Sequence, residues 1–441
     1  MKLNSTLLKS TVVAALGGLL FGFDTAVIAG ATQALKVLYQ LSPLGEGFTV
    51  ASALVGTVIG SMLAGIPGDR YGRRDSLRGM AVLYVVSALG CAFAWNWTAL
   101  VIFRFIGGLA IGGSSVLGPM YIAEISPAKW RGRLVGLFQF NVVFGILLAY
   151  FSNYVLGTMG FGAAEWRWKL GVTAVPAAFF FLMLFGIPRS PRWLVKKGRI
   201  DEAREVLRLI GEENYEQELK DIVESIDAEH VTSDALFTAK YRVPIFLAIS
   251  IGMFNQLSGI NAILYFAPRI FELTGLGAKA ALLQSVGIGL TNLVFTFAGL
   301  WLIDRLGRRT LLYIGSFGYI SSLGLTAWAF FTHHFSIVPA CIFAFIAAHA
   351  IGQGAVIWVF ISEIFPNRHR AEGQALGSFT HWIFAALLTT FFPRMVSSFP
   401  PGYVFAFFAG MMVLQLIWVK AMVPETKNVP LEQIQKQLGI E

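Results

Sequence analysis

Apolar residues gather in twelve long runs separated by short polar stretches, and each run is close to the ~20 residues a helix needs to cross ~30 Å of hydrocarbon. The first six cover 10–34, 48–68, 77–95, 98–123, 134–156 and 168–188, and the other six 243–274, 280–302, 310–331, 337–362, 371–393 and 402–423. The pattern predicts an all-α polytopic membrane protein with twelve transmembrane helices. An even number of crossings returns both termini to one side. Between the sixth and seventh runs the pattern changes. Residues 189–242 are polar, with apolar positions at helical spacing in Ala203, Val206, Leu207 and Ile210 and again in Leu219, Ile222, Val223 and Ile226. These predict short amphipathic helices beneath the membrane bundle, the first capped by Asp201. The implied organisation is a six-helix bundle over 1–188, the amphipathic segment over 189–242, a second bundle over 243–423 and a tail over 424–441.

Composition agrees with this reading. Hydrophobic residues make up 56% of the 441 residues and charged residues 13%, about half the ~25% usual in soluble domains. The net charge of +9 sets orientation and gives no reason to invoke nucleic acid. With loops assigned to alternate sides, 27 of the 34 Lys and Arg fall on one side. Lys36, Arg167, Lys169, Arg269, Lys279 and Arg394 lie on the other, and Arg104 lies inside a run. The basic side is expected to be cytoplasmic, so both termini are expected there, in a multi-pass protein of the cell membrane. Cys91 and Cys341 both lie in apolar runs and form neither a disulfide framework nor a metal-ligand spacing. No cofactor is implied, and the absence of a nucleophile, metal or paired-carboxylate constellation argues against an enzyme.

An ionised side chain at the centre of a transmembrane helix costs about 2.5 to 3.5 kcal/mol, so Asp24 in the first run and Arg104 in the fourth are the leading candidates for function. Facing each other they form either a proton switch or a static ion pair. The seventh run carries a dense set of amides in Asn255-Gln256-Leu257-Ser258-Gly259-Ile260-Asn261. Each offers donors and an acceptor, as a polyhydroxylated ligand or interhelical hydrogen bonding requires. Gly259 and Pro268 favour local unwinding, which would aim Gln256 and Asn261 into one cavity. Gln139 and Asn292 add further amides. Trp358 and Trp382 lie well inside their runs, where an indole can cover the apolar face of a sugar ring, with His381 beside Trp382.

The two halves repeat each other. Asp69-Arg70-Tyr71-Gly72-Arg73-Arg74 recurs as Asp304-Arg305-Leu306-Gly307-Arg308-Arg309 at an offset of 235, and Glu124 with Arg131 recurs as Glu363 with Arg370 at 239. Parallel six-helix repeats with a ligand site at the bilayer midplane describe a secondary transporter. The repeated charges, Arg73, Arg74, Glu124 and Arg131 in one half and Arg308, Arg309, Glu363 and Arg370 in the other, predict a salt-bridge network at the cytoplasmic surface.

These residues together resemble the sugar porters of the major facilitator superfamily, among them bacterial xylose– and galactose–proton symporters and mammalian facilitative glucose transporters. The similarity is carried by Gly17-Gly18-Leu19-Leu20-Phe21-Gly22-Phe23-Asp24, both Asp-Arg-x-Gly-Arg-Arg loops and Arg104 with Gly107-Gly108. Tyr121 to Glu124, Ser190-Pro191-Arg192-Trp193-Leu194, Gln256 to Asn261, Ser362 to Pro366 and Pro424-Glu425-Thr426-Lys427 extend it over nearly the whole chain. It implies the major facilitator fold, alternating access, a monosaccharide bound between the halves and a functional monomer. By position, Phe21, Gln139, Gln256, Asn261, Asn292, Trp358 and Trp382 resemble sugar-cavity residues, and Tyr265 part of an extracellular gate. Asp24 resembles the carboxylate of proton-coupled members, with Arg104 as its partner.

Five features depart from the family pattern. Asn255 replaces a Gln of the cavity, Phe266 a second gate Tyr, and His381 a common amide. Gln353, Ala355 and Ile357 interrupt a Pro-rich pattern before Trp358, and Arg189 replaces an acidic residue. The expected function is import of a hexose or pentose with protons. A proton-independent sugar or polyol uniporter and a transporter-like sugar sensor are the alternatives.

Overall fold

The computed structural model describes residues 4–127, 130–212, 214–228, 235–366 and 369–440. Three of the basic residues counted above, Lys2, Lys129 and Arg368, lie outside them. The described residues form helices and no strands. The first half holds α1 (Ser5–Val27), α2 (Thr32–Leu38), α3 (Pro43–Leu63), α4 (Gly65–Tyr71), α5 (Arg73–Ala92), α6 (Trp97–Ile125), α7 (Arg131–Thr158), α8 (Glu165–Gly171) and α9 (Ala174–Met183). The polar segment holds α10 (Pro191–Lys196), α11 (Ile200–Leu209) and α12 (Tyr215–Ala228). The rest holds α13 (Arg242–Leu257), α14 (Ile260–Tyr265), α15 (Ala267–Glu272), α16 (Ala278–Leu306), α17 (Arg308–Thr332), α18 (Val338–Ile351), α19 (Gln353–Ile364), α20 (Arg370–Ser398), α21 (Pro401–Met422) and α22 (Leu431–Gln437). Twelve helical stretches among the described residues are long and apolar enough to cross a membrane, matching the twelve apolar runs.

Helix satisfies the backbone inside hydrocarbon because each N–H finds its carbonyl within the same segment. Buried hydroxyls follow the same rule by bonding back to their own helix: Thr11 to the Leu7 carbonyl (2.9 Å), Thr25 to Phe21 (2.8 Å), Thr326 to Ser322 (2.7 Å).

Contacts divide the chain into two compact units. The first comprises Met1–Thr25, Gly56–Ile146 and Arg167–Asp234. Its helices meet at glycine. A Cβ at Gly56 would lie 2.2 Å from the Phe105 carbonyl oxygen, at Gly60 2.5 Å from that of Leu109, and at Gly112 2.3 Å from that of Thr57. The α3 and α6 backbones are therefore in direct contact, with glycines spaced four apart on both helices, and no side chain fits between them. The amphipathic segment belongs to this unit. Trp193 Nε1 donates to the Asp69 carbonyl (3.0 Å), and Ala203, Leu207, Ile210 and Leu219 are buried in the unit's core. Asp201 does not cap α11. Arg199 occupies the cap position without a side-chain bond, and Asp201 lies in the first turn, paired with Arg204 at 2.6 Å. The neighbouring Glu202 carboxyl is held below the usual carboxylate range by the hydrogen bond from Arg199.

The second unit comprises Ala26–Val55, Leu147–Trp166 and Ala235–Glu441. Residues 26–55 and 147–166 fall in it through close backbone contacts. A Cβ on Gly47 would lie 1.9 Å from the Thr390 carbonyl oxygen, and one on Gly289 2.8 Å from Leu147 Cα. The units thus divide α3 and α7 internally, which boundaries at 188 and 242 do not.

Gly60→Leu is expected to force α3 from α6, costing about 1 to 3 kcal/mol or more, whereas Gly79→Leu on α5, with open space around its Cβ, should be neutral. Size-exclusion chromatography and thermal unfolding in detergent distinguish the two. Wild-type behaviour of Gly60→Leu would contradict the direct backbone contact.

Candidate functional site

The seventh apolar run is broken where its amides lie. Gly259 adopts φ 86°, a left-handed conformation that glycine takes without the Cβ penalty, and a Cβ there would also press within 2.7 Å of the Phe408 ring. Ser258 completes the break: its Oγ donates to the Asn255 carbonyl (2.7 Å) and accepts from the Ile260 N–H (3.3 Å). A second break follows at Phe266, where Pro268 in the first turn of α15 has no N–H to continue the ladder. The unwinding expected from Gly259 and Pro268 is therefore present.

Across the first break, Asn261 Nδ2 donates to Gln256 Oε1 at 3.0 Å, and Gln256 Nε2 donates to Asn255 Oδ1 at 3.0 Å. Gln256 Nε2 also lies 3.2 Å from His381 Nε2 and 3.4 Å from its Nδ1, so its second hydrogen is within reach of whichever ring nitrogen carries no proton. The His381 ring stands between two indoles, 5.3 Å from Trp358 and 4.6 Å from Trp382, edge-on to the latter. Six of the residues singled out in the sequence thus meet in the second unit: Asn255, Gln256, Asn261, Trp358, His381 and Trp382. Apolar ring faces beside hydrogen-bonding amides match the chemistry of a sugar, with its C–H face and hydroxyl rim. Asn292, on α16, is engaged on its own helix, where its Oδ1 accepts from Thr296 (3.4 Å). Tyr265 and Phe266 are buried, with Phe266 against Phe392 (5.4 Å between ring centroids) and the neighbouring Leu264 carbonyl accepting from Tyr150 (2.5 Å).

In the first unit, Asp24 on α1 lies in the field of Arg104 on α6, both side chains buried among apolar helices. Gly107, one turn from Arg104, lies beside the carboxylate and leaves room for Ser87: a Cβ there would lie 3.8 Å from Asp24 Oδ2 and 2.4 Å from Ser87 Oγ. Tyr84, hydrogen-bonded to Ser114 at 2.9 Å, and Cys91 also face this charge. Phe21 packs on the unit's core, and Gln139 on α7 is half-buried.

The repeated charges form two matching clusters, one in each unit. Arg73 bonds the Gly68 carbonyl (2.8 Å) and Asp69 (2.9 Å) and pairs with Glu124 (3.0 Å), which also accepts from Ser190. Arg308 bonds the Ile303 carbonyl (3.1 Å) and Asp304 (3.2 Å) and pairs with Glu363 (2.6 Å), which accepts from Thr426 at 2.6 Å. Gly72 and Gly307 both have φ 92°, the turn that folds each arginine back onto its helix. Arg74 and Arg309 hold the Ile187 and Lys420 carbonyls (3.1 and 2.8 Å). Arg131 and Arg370 instead bond the Ser126 and Ser362 carbonyls (3.4 and 2.9 Å), and neither pairs with Glu124 or Glu363 among the described residues. Ser190, Thr426 and Glu425 were named in the sequence only as parts of recurring motifs and not as members of these clusters; the Glu425 carboxylate accepts from the Arg308 and Arg309 N–H groups (2.9 and 3.1 Å). Arg189, one of the departures noted in the sequence, pairs with Asp75 at 2.9 Å. Sequence reasoning also missed Glu46, buried in the second unit between Lys36 (3.5 Å) and Arg269. Both cations were visible as basic residues on the sparsely charged side. No group of three or more His, Cys, Asp or Glu among the described residues is placed to hold a metal.

Residues 10–438 match the family described as "Sugar (and other) transporter". Among curated proteins, the chain is 39% identical to the arabinose-proton symporter of Bacillus subtilis over 96% of this chain and 93% of that protein. It is 36% identical to the D-xylose-proton symporter of Escherichia coli over 98% and 96%. Among solved structures, the inward-open conformation of the xylose transporter XylE from E. coli superposes with a TM-score of 0.88 at 34% identity, covering 98% of this chain and 99% of that chain.

Removing the carboxylate in Glu46→Gln leaves Arg269, whose side chain is 18% exposed, without its ion-pair partner and is expected to cost up to about 3 kcal/mol. Lys36→Gln, at a 30% exposed position, should cost about 1 kcal/mol or less. Thermal unfolding in detergent separates these values. Equal, small shifts would show that Glu46 does not hold Arg269.

Proposed function

The chain belongs to the sugar (and other) transporter family, and on that premise we propose that it is a sugar–proton symporter, importing a monosaccharide across the cell membrane by alternating access. Pentoses are the first candidates, because relatives similar over nearly the whole chain are named for arabinose and D-xylose. Both termini lie in the cytoplasm, on the side holding the Arg73–Glu124 and Arg308–Glu363 clusters, and the monomer is the working unit. The protein carries its substrate and does not transform it.

The observation that carries the reading is Asp24, a carboxylate buried in an apolar bundle and facing Arg104. Burial disfavours the ionised carboxylate while the charge of Arg104 favours it, so protonation removes an attraction between α1 and α6. A proton arriving from outside is therefore stored as a broken ion pair, and its departure inside restores the pair. A group that exchanges one proton per cycle in this way ties the carrier's return to the proton gradient.

Sugar binding uses the other cluster. Hydroxyls of the ligand take up hydrogen-bonding groups of Gln256 and Asn261, while Trp358 and Trp382 cover the ring's apolar face. The two breaks around α14 allow that short helix to shift with Tyr265 and Phe266 at its outer end, which makes them gate residues. Binding energy shifts the population towards the closed form only to the extent that the sugar binds that form better.

In proteoliposomes with an inward proton gradient, the wild type is expected to accumulate labelled D-xylose or L-arabinose above equilibrium. Asp24→Asn should still exchange internal for external sugar while losing accumulation. Accumulation by Asp24→Asn would remove Asp24 as the proton carrier, and simple equilibration by the wild type would make the protein a uniporter.

A further inference from the structure

Five amides and a hydroxyl in the second unit form one directed hydrogen-bond chain. Asn261 Nδ2 donates to Gln256 Oε1 (3.0 Å), Gln256 Nε2 to Asn255 Oδ1 (3.0 Å) and Asn255 Nδ2 to Gln353 Oε1 (3.4 Å). Gln353 Nε2 then donates to Gln415 Oε1 (2.8 Å), and Gln415 Nε2 to Ser316 Oγ (2.8 Å). Each amide accepts from the one before and donates to the one after. The members come from α14, α13, α19, α21 and α17, so the chain crosses the helical packing of the unit. Gln353, Gln415 and Ser316 are fully buried, and only Asn261 is half-exposed.

A side-chain amide has nearly the same shape in its two orientations but exchanges donor for acceptor between them. In a directed chain, reversing one member sets N–H against N–H on one side and oxygen against oxygen on the other. The members therefore hold their orientation together, and a buried end lacking its acceptor loosens all of them. Asn255 is consumed by the chain, since its oxygen accepts from Gln256 and its nitrogen donates to Gln353. What remains for a ligand is at the half-exposed end, on Asn261, beside the second lone pair of Gln256 Oε1.

We infer that Gln353, Gln415 and Ser316 are positioning residues for sugar selection: without touching the ligand, they fix which of its groups Asn261 and Gln256 present. This rests on the reading of Gln256 and Asn261 as sugar ligands. A site that aims a fixed acceptor at one hydroxyl discriminates against an epimer that places the hydroxyl elsewhere, because a buried group is then left unpaired. D-Xylose and L-arabinose differ in configuration at C4 alone and suit the test.

The experiment measures KM and Vmax for both pentoses in proteoliposomes, at matched amounts of monodisperse protein. Ser316→Ala and Gln415→Leu are expected to change the ratio of Vmax/KM between the two sugars by about threefold to tenfold, mainly through KM, the scale of one net hydrogen bond. The double variant should do no more than Gln415→Leu alone, since both cut the same link. Ser316→Cys, which keeps a weak acceptor, should restore part of the ratio. Asn261→Ala tests the underlying site: normal uptake of both sugars in that variant would overturn the site reading itself. Loss of uptake in Asn261→Ala together with an unchanged ratio in Ser316→Ala would overturn the relay and leave the site standing. If Gln415→Leu is not recovered folded, Ser316→Ala, which removes a single oxygen, carries the test.

Discussion

A polar group carried into hydrocarbon has no water to turn to, and leaving it unpaired costs several kcal/mol, so the protein itself must supply every partner. Most of the architecture follows from this. Backbone groups are paired along helices, and buried hydroxyls such as those of Thr11, Thr25 and Thr326 bond back to the preceding turn. Helices approach closely at glycine, as between α3 and α6, because lipid offers no hydrophobic drive to hold them and direct contact must do so. At Gly259 the freed Ile260 N–H is met by Ser258 Oγ.

The same constraint turns the break into a site. Asn255, Gln256 and Asn261 could not remain in an apolar helix alone, and the structure satisfies them by bonding each to the next and to His381. Such bonds are exchangeable. A sugar hydroxyl can replace an amide at little net cost, whereas an apolar solute cannot, which is why the proposed function places a polyhydroxylated ligand at this cluster. Charges obey a stricter version. Asp24 is set in the field of Arg104, and Glu46 is held between Lys36 and Arg269. On the proposed function, Asp24 is the one that takes up the proton.

Much of this was legible in the sequence because the signals are local or repeated. A run of about 20 apolar residues announces its helix, and the two Asp-Arg-x-Gly-Arg-Arg loops announced a duplication whose geometry is the same down to the φ of 92° at Gly72 and Gly307. Asp24, Arg104 and the broken seventh run were visible as residues out of place in apolar surroundings. The illegible part is long-range pairing. Nothing near Gln353 indicates Gln415 as its partner, and nothing near Glu46 indicates Arg269, since these contacts join helices far apart in the chain. Local rules also failed at Asp201, where the turn at Arg199 starts α11 earlier than a cap would, and at Arg131 and Arg370, which bond nearby carbonyls instead of the repeated glutamates.

The proposed function requires sugar and proton to move together. The most direct measurement is the luminal pH of proteoliposomes carrying a trapped fluorescent pH indicator, with no gradient imposed and D-xylose or L-arabinose added outside. The account predicts acidification of the lumen that follows sugar entry and is abolished by a protonophore. Sugar entry at an unchanged luminal pH would contradict it.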